Sequence, residues 1–195
     1  MTKRAYDAEH TKKKLLEGAM VLFAKKGYAA TSIDDICEAS GCSKGSMYYH
    51  FRSKEQLFLE LAEQAFSDSW RRWNELSAPL STATDKLYAY ADYFVDNHNR
   101  PLNKAGEEFI AKIGAASEAG QRFFGIVMGV IADFESLVSE GIASGEFKNE
   151  DPKELAFIIL SYFSGLSDSY LFMDRDGMKR LFRKAAGFLL EGIRI

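Results

Sequence analysis

The chain has 195 residues, 47% of them hydrophobic, so it can build one large or two small globular domains with a real core. No leading segment joins a basic stretch to an apolar run and a small-residue cleavage site, so no secretory signal is expected, and Cys37 and Cys42 lie too close in sequence for a disulfide framework; the cysteines read as small buried hydrophobes in a reducing cytoplasm. The net charge of −3 conceals an asymmetry, because residues 1–54 carry ten Lys/Arg against six Asp/Glu while the rest carries 15 against 22. A basic head on an acidic body points to a polyanion that meets the head alone.

Residues 11–26 repeat apolar positions (Leu15, Leu16, Ala19, Met20, Leu22, Phe23) at helical spacing. Lys25 and Lys26 suit the C-terminal end of that helix, and Gly27 suits a left-handed cap. Thr31 has N-cap chemistry, which predicts a second helix over about 32–38. Ala39-Ser40-Gly41-Cys42 is a short break, and Ser43 opens a third helix whose buried side is Met47 and Phe51. Two short helices around a four-residue, glycine-containing turn make a helix-turn-helix.

The third helix is crowded with polar and aromatic residues that a core does not need. In such a motif the second helix enters the major groove. Lys44 offers a cation, Gly45 lets the backbone approach, and Ser43, Ser46, Tyr48, Tyr49 and His50 offer donors to phosphate oxygens. Thr31, Ser32 and Lys54 complete the expected DNA-binding set. Ser53 and Gln56 form a capping-box pattern for a fourth helix. Gly41-Cys42-Ser43-Lys44-Gly45 also matches the G-x-S-x-G elbow of hydrolases, but that motif needs a preceding strand and none is predicted. His10, His50 and His98 are scattered, so no metal or cofactor site and no enzyme is expected.

Residues 19–61 resemble the DNA-binding domain of TetR-family repressors. The family pattern is filled at Phe23, Gly27, Tyr28, Thr31, Gly41, Ser43, Gly45, Tyr48, His50, Phe51, Lys54 and Leu57, with Ile36 displaced by one place. Ser43 to Leu59, with Trp70 and Trp73 beyond it, is similar to multidrug-binding members in particular. The resemblance covers about a quarter of the chain. It implies a repressor released from DNA by a small effector, controlling an efflux or detoxification gene.

Beyond the head, helices are predicted over 54–78, 83–98, about 104–116 after Pro101, and 121–143 after Gly120. Another opens at Asp151-Pro152. Residues 155–173 are apolar around most of a helix, yet four serines and Asp168 argue against a membrane span. Residues 178–193 carry a second apolar stripe. Two such helices from each of two subunits predict a homodimer through Phe157, Leu160, Phe163, Phe182, Ala185 and Leu189. A twofold dimer would place its recognition helices about 34–36 Å apart, on an inverted-repeat operator in double-stranded DNA. Twenty of the 26 aromatics lie beyond residue 54. Trp70, Trp73, Tyr90 and Tyr93, with Glu107 and Glu108, are the candidate site for an aromatic or lipophilic, or cationic, effector.

The expected fold is therefore all-α, with about nine helices. A three-helix DNA-binding domain (1–54) is fused to a ligand-binding and dimerisation domain (55–195). The alternative is a helical ligand-binding or enzymatic module without duplex affinity.

Overall fold

The computed structural model describes residues 3–97 and 100–195. Among these, nine α-helices follow one another: Lys3–Lys26 (α1), Ile33–Ser40 (α2), Lys44–His50 (α3), Lys54–Ser77 (α4), Ala83–Asn97 (α5), Arg100–Ile113 (α6), Glu118–Ala143 (α7), Pro152–Gly165 (α8) and Arg175–Ile193 (α9). A 3-10 turn occupies Ser167–Leu171. The described residues contain no strand, and their one isolated β-bridge joins Phe147 to Arg194. The all-α expectation holds.

Several boundaries differ from the sequence reading, each for a local reason. Helix α1 starts well before residue 11. Gly120 sits inside α7, because Ser117 caps that helix by accepting from the Gly120 amide at 3.0 Å. Pro101 lies in the first turn of α6, where a missing amide costs nothing. The apolar run at 155–173 is two elements. Its helix ends at Gly165, where the Leu166 amide is shared between the carbonyls of Tyr162 and Phe163 and the last turn tightens toward 3-10 geometry. No helix among the described residues is long and apolar enough to cross a membrane. His98, at the expected end of α5, falls outside the described residues.

The chain groups into two compact units, residues 1–66 with 99–126 and residues 67–98 with 127–195. The first unit is built on aromatic contacts. The Tyr28 ring meets Phe58 at 5.1 Å and Phe109 at 5.0 Å, both edge-on, while Phe58 stacks on Phe109 at 4.8 Å. Leu15, Phe23, Met47 and Phe51 complete that core.

The second unit has its own core around Trp73, Tyr90, Phe134, Phe163 and Phe182. Helix α9 lies along α5, and ion pairs line the seam: Arg183 with Asp92, and Arg175 and Lys179 with Asp96. Glu146 closes the exposed end of α5. Its carboxylate accepts from the amides of Ala83 and Thr84, each at 3.0 Å, and from the Ser144 hydroxyl at 3.2 Å. Burial works to raise the Glu146 pKa, but the hydrogen bonds from Thr84, Ala83 and Ser144 outweigh it and hold the carboxyl below its ordinary value.

That sign sets a pH dependence. A carboxyl depressed in the folded state stabilises above its unfolded pKa, and the contribution disappears as pH falls through the folded value. At neutral pH, Glu146→Ala should cost about 1 kcal/mol, the size of a lost helix cap. Thermal melts of the two proteins should converge in strong acid. A gap that persists unchanged there would contradict the capping role.

Candidate nucleic-acid interface

Helix α2 is capped by Ser32, not Thr31. The Ser32 hydroxyl accepts from the Asp35 amide at 3.1 Å, and the Asp35 carboxylate accepts from the Ser32 amide at 2.9 Å, forming a reciprocal capping box. The Ser32 backbone and hydroxyl donors, with Lys26 at 3.2 Å, hold the Asp35 carboxyl below its usual range. Thr31 turns inward instead: it is 1% exposed, and its hydroxyl donates to the Gly27 carbonyl at 2.7 Å. Its expected role as a DNA contact is corrected on that ground, since a buried, committed hydroxyl cannot meet a phosphate.

Helix α2 ends in a glycine cap. Gly41 has a left-handed backbone (φ 65°); its amide donates to Glu38 O, and the Cys42 amide donates to Cys37 O at 3.0 Å. This paired arrangement is the Schellman motif, and it needs a residue without Cβ strain at position 41. Ser43 then caps α3, accepting from the Ser46 amide at 3.0 Å.

Within α3 the division of faces follows the predicted spacing. Met47 in the helix and Phe51 just after it are fully buried, while Tyr48 and Tyr49 are exposed, Tyr49 at 77%. The His50 ring stands edge-on to Tyr49 at 5.0 Å. Lys44 is exposed but paired, its ammonium 2.6 Å from the Asp34 carboxylate, which raises the lysine's pKa. A Cβ built on Gly45 would meet nothing closer than the Ser43 hydroxyl at 3.7 Å, so the protein's own packing does not require glycine there. Ser32, Ser43, Lys44, Gly45, Tyr48 and Tyr49 are exposed, and Ser46 and His50 are partly so.

Lys54 does not share that surface role. Its ammonium donates to the carbonyls of Tyr28 at 2.8 Å and Thr31 at 2.7 Å, and stands 4.1 Å over the Tyr28 ring. Burial lowers its pKa, with the charge of Lys112 adding to the effect. The Tyr28 hydroxyl donates to Glu55 at 3.2 Å, and burial foremost, then the Glu55 charge, push that phenol up. Residues 54 and 55 thus fasten the α1–α2 turn. Glu108 of α6 fastens it again, accepting from the Ala29 amide at 3.1 Å. Sequence reasoning missed these ties, because nothing local marks a lysine at 54 as the partner of carbonyls near residue 30.

The expected effector and dimer residues are dispersed. Trp73, Tyr90 and Tyr93 are buried in the second unit's core, with Trp73 edge-on to Tyr90 at 5.1 Å and Tyr90 4.7 Å from Phe134. The Tyr93 hydroxyl is held by Ser69 O at 2.5 Å. Trp70 is half-buried against this core. Glu107 and Glu108 belong to α6 in the first unit, with Glu108 engaged at Ala29. An open groove of about 580 Å³ in the second unit is lined by Leu80, Asp85, Tyr88, Ala89, Asp92 and Arg183, none of them among the expected ligand residues.

Of the expected interface residues, Phe163, Phe182 and Ala185 belong to the protomer's own core, and Leu160 and Leu189 pack partly against it. Phe157 is 55% exposed, alongside Ile158, Tyr162 and Phe188. Helical period alone does not distinguish a face turned inward from one left outside.

A helix-turn-helix whose second helix turns hydroxyls, rings and a lysine to solvent, on an all-α chain, defines the class as a helix-turn-helix DNA-binding regulator. Residues 15–61 match the model of bacterial regulatory proteins of the tetR family, and residues 66–194 match the C-terminal region of QacR-like proteins. The chain belongs to the TetR family of bacterial transcriptional regulators. It is 29% identical to the HTH-type transcriptional regulator QacR of Staphylococcus aureus (strain Mu50 / ATCC 700699), over 80% of this chain and 83% of QacR. It is 25% identical to AcrR of Shigella flexneri, over 97% and 92% of the two chains. A TetR transcriptional regulator from Chloroflexus aurantiacus J-10-FL superposes with a TM-score of 0.76 at 27% identity, covering 97% of this chain and 99% of that one.

Lys54→Met removes the lysine donor from Thr31 O and leaves Tyr28 O with the long bond from the Thr31 amide at 3.4 Å, and should destabilise the first unit by about 2 kcal/mol, near the cost of an unsatisfied buried acceptor. The salt dependence of duplex binding should keep its slope. A slope reduced by about one would return Lys54 to the phosphate contacts.

Proposed function

We propose that the protein is a homodimeric repressor whose α3 helices read an inverted-repeat operator and which a small aromatic or lipophilic effector releases. The observation that carries the reading is the exposed face Ser43–Lys44–Ser46–Tyr48–Tyr49–His50 opposite buried Met47 and Phe51. Solvent-facing paired tyrosines and a glycine the fold does not need are accounted for by a close-fitting partner. Ser32 and the α3 donors supply backbone contacts, while Gly45 leaves room for a phosphate or base edge. The same reading assigns residues 1–54 to DNA and 55–195 to effector binding and dimerisation. It gives the protein a regulatory role in the cytoplasm and not an enzymatic one.

The proposed dimer surface is the remaining exposed apolar set on α8 and α9: Phe157, Ile158, Tyr162 and Phe188. Dimerisation would space two α3 helices on one face of the duplex, about 34–36 Å apart. An effector that enters the second unit near Trp70 must part rings that now pack on one another. A ligand favouring the parted state shifts the population away from the DNA-bound one.

A mobility-shift or anisotropy assay against the DNA upstream of its own gene tests the reading. Lys44→Ala and Tyr48→Phe should each weaken binding by about 1–2 kcal/mol with the fold intact. Lys44→Ala should also lower the salt slope by about one. Unchanged affinity in both variants would remove this face from the interface.

Phe157→Glu combined with Phe188→Glu should yield folded monomers by sedimentation, with operator affinity lost. Dimers that still bind DNA would place the interface elsewhere. Phe182→Glu is unsuited to this test, because it would charge the protomer's own core. For the effector, aromatic dyes should quench tryptophan fluorescence and loosen DNA together, and Trp70→Ala should blunt both. Quenching without release would refute this assignment.

A further inference from the structure

The cap of α2 brings together two groups far more reactive than a cap requires. In a Schellman motif the residue three before the last helical one and the residue just after the glycine face one another, and their side chains usually form an apolar contact. Here those positions are Cys37 and Cys42, both free thiols. With the Cys42 amide 3.0 Å from Cys37 O, bond lengths limit the Cα–Cα separation to at most about 6.9 Å. Bridging becomes impossible beyond about 7 Å. The pair therefore meets the distance condition without movement of the backbone, although only four residues separate the cysteines.

The thiols are not equivalent. Cys37 is 8% exposed, and burial, with the Asp34 and Cys42 charges adding, pushes its thiol up. Cys42 is half-buried at the edge of the same core. The outer thiol, which donates to Ser40 O at 3.6 Å, is the one an oxidant reaches first, and the inner one lies at a backbone separation that permits a bridge.

We propose that Cys37 and Cys42 form a dithiol–disulfide couple, oxidised by hydroperoxides, whose closure weakens DNA binding. The Cys42 thiolate attacks a peroxide oxygen, breaking the O–O bond to give a sulfenic acid and, after protonation, water or an alcohol. The Cys37 sulfur then displaces hydroxide from the Cys42 sulfur; the S–S bond forms, and the thiol proton leaves with that hydroxide as water. Two electrons pass from the thiol pair to the peroxide. A dithiol reductant reverses the change by exchange. Cys42 directly precedes Ser43, the cap of α3, so drawing its side chain toward Cys37 acts on the residue that orients Lys44 and Tyr48. This DNA consequence rests on the operator-binding reading above; the thiol chemistry does not.

The test treats the full-length reduced protein with a small excess of hydrogen peroxide and reads intact mass, alkylatable thiols after denaturation, a non-reducing gel and operator affinity. The expected result is loss of two hydrogens, no alkylatable thiol, migration as a single chain and an affinity at least about tenfold lower. Dithiothreitol should restore all four readouts. Cys42→Ser should keep its affinity in peroxide, and Cys37→Ser provides the same control from the inner position. Thiols that remain alkylatable, oxygen addition without hydrogen loss, or a bridge between chains overturns the couple. A bridged protein with unchanged affinity overturns its regulatory effect. Reduced protein with no operator affinity overturns the DNA-binding reading instead, while mass and thiol counts still decide whether the couple exists.

Discussion

The carbonyl oxygens of Tyr28 and Thr31 lie in a tight turn where no helix ladder reaches them, and the Lys54 ammonium supplies the hydrogens they need. The turn that leads into the helix-turn-helix is arranged around those two bonds. Thr31 faces inward because its hydroxyl closes on Gly27; Ser32 is thereby left outside to cap α2, and the direction of α2 sets that of α3 across the Gly41 cap. The Tyr28 ring lies beneath the lysine and packs edge-on against Phe58 and Phe109, so a polar tie and an aromatic core share one residue. Hydrogen bonds to a charged donor are worth more than neutral ones, about 1.5–3 kcal/mol, which suits a turn that must not drift.

The second unit meets a different demand. Its buried rings pack on one another: Trp73, Tyr90, Phe134 and Phe163 fill the interior, and a cavity beside them would cost roughly 24 cal/mol per Å³. Ion pairs line the seam between α5 and α9, where Asp92 and Asp96 meet three basic side chains, and Lys86 pairs with Glu140 of α7 at 2.6 Å. The outside of α8 and α9 carries exposed apolar side chains, Phe157, Ile158, Tyr162 and Phe188, among charged ones, and this apolar set is why the proposed partner is a second copy of the chain.

Legibility in the sequence followed the range of the forces involved. The helices, the four-residue turn and the Met47/Phe51 face could be read because period and cap chemistry act within a few residues. The choice of Ser32 over Thr31 could not, since both carry a hydroxyl able to cap, and a bond from Thr31 back to Gly27 decided it. The faces of α8 and α9 were ambiguous for a related reason. Phe163 and Phe157 lie on a helix apolar on most sides, and only the position of α5 and α9 determines which of them is enclosed. Glu108 was read as a ligand group from composition; its partner, an amide 79 residues away, leaves no mark in the local sequence.

The pairing of Lys44 with Asp34 bears on how such a head would search a chromosome. An exposed ion pair, screened by water and costly in side-chain freedom, is weak, so it yields readily to a phosphate. It still cancels much of the cation's field at a distance. A lysine held this way contributes little to loose, long-range adhesion to arbitrary duplex, and delivers its charge only after close docking has drawn it from its carboxylate. Weakening the background attraction more than the docked contact widens the ratio between the right site and the millions of wrong ones, and that ratio, more than raw affinity, decides occupancy.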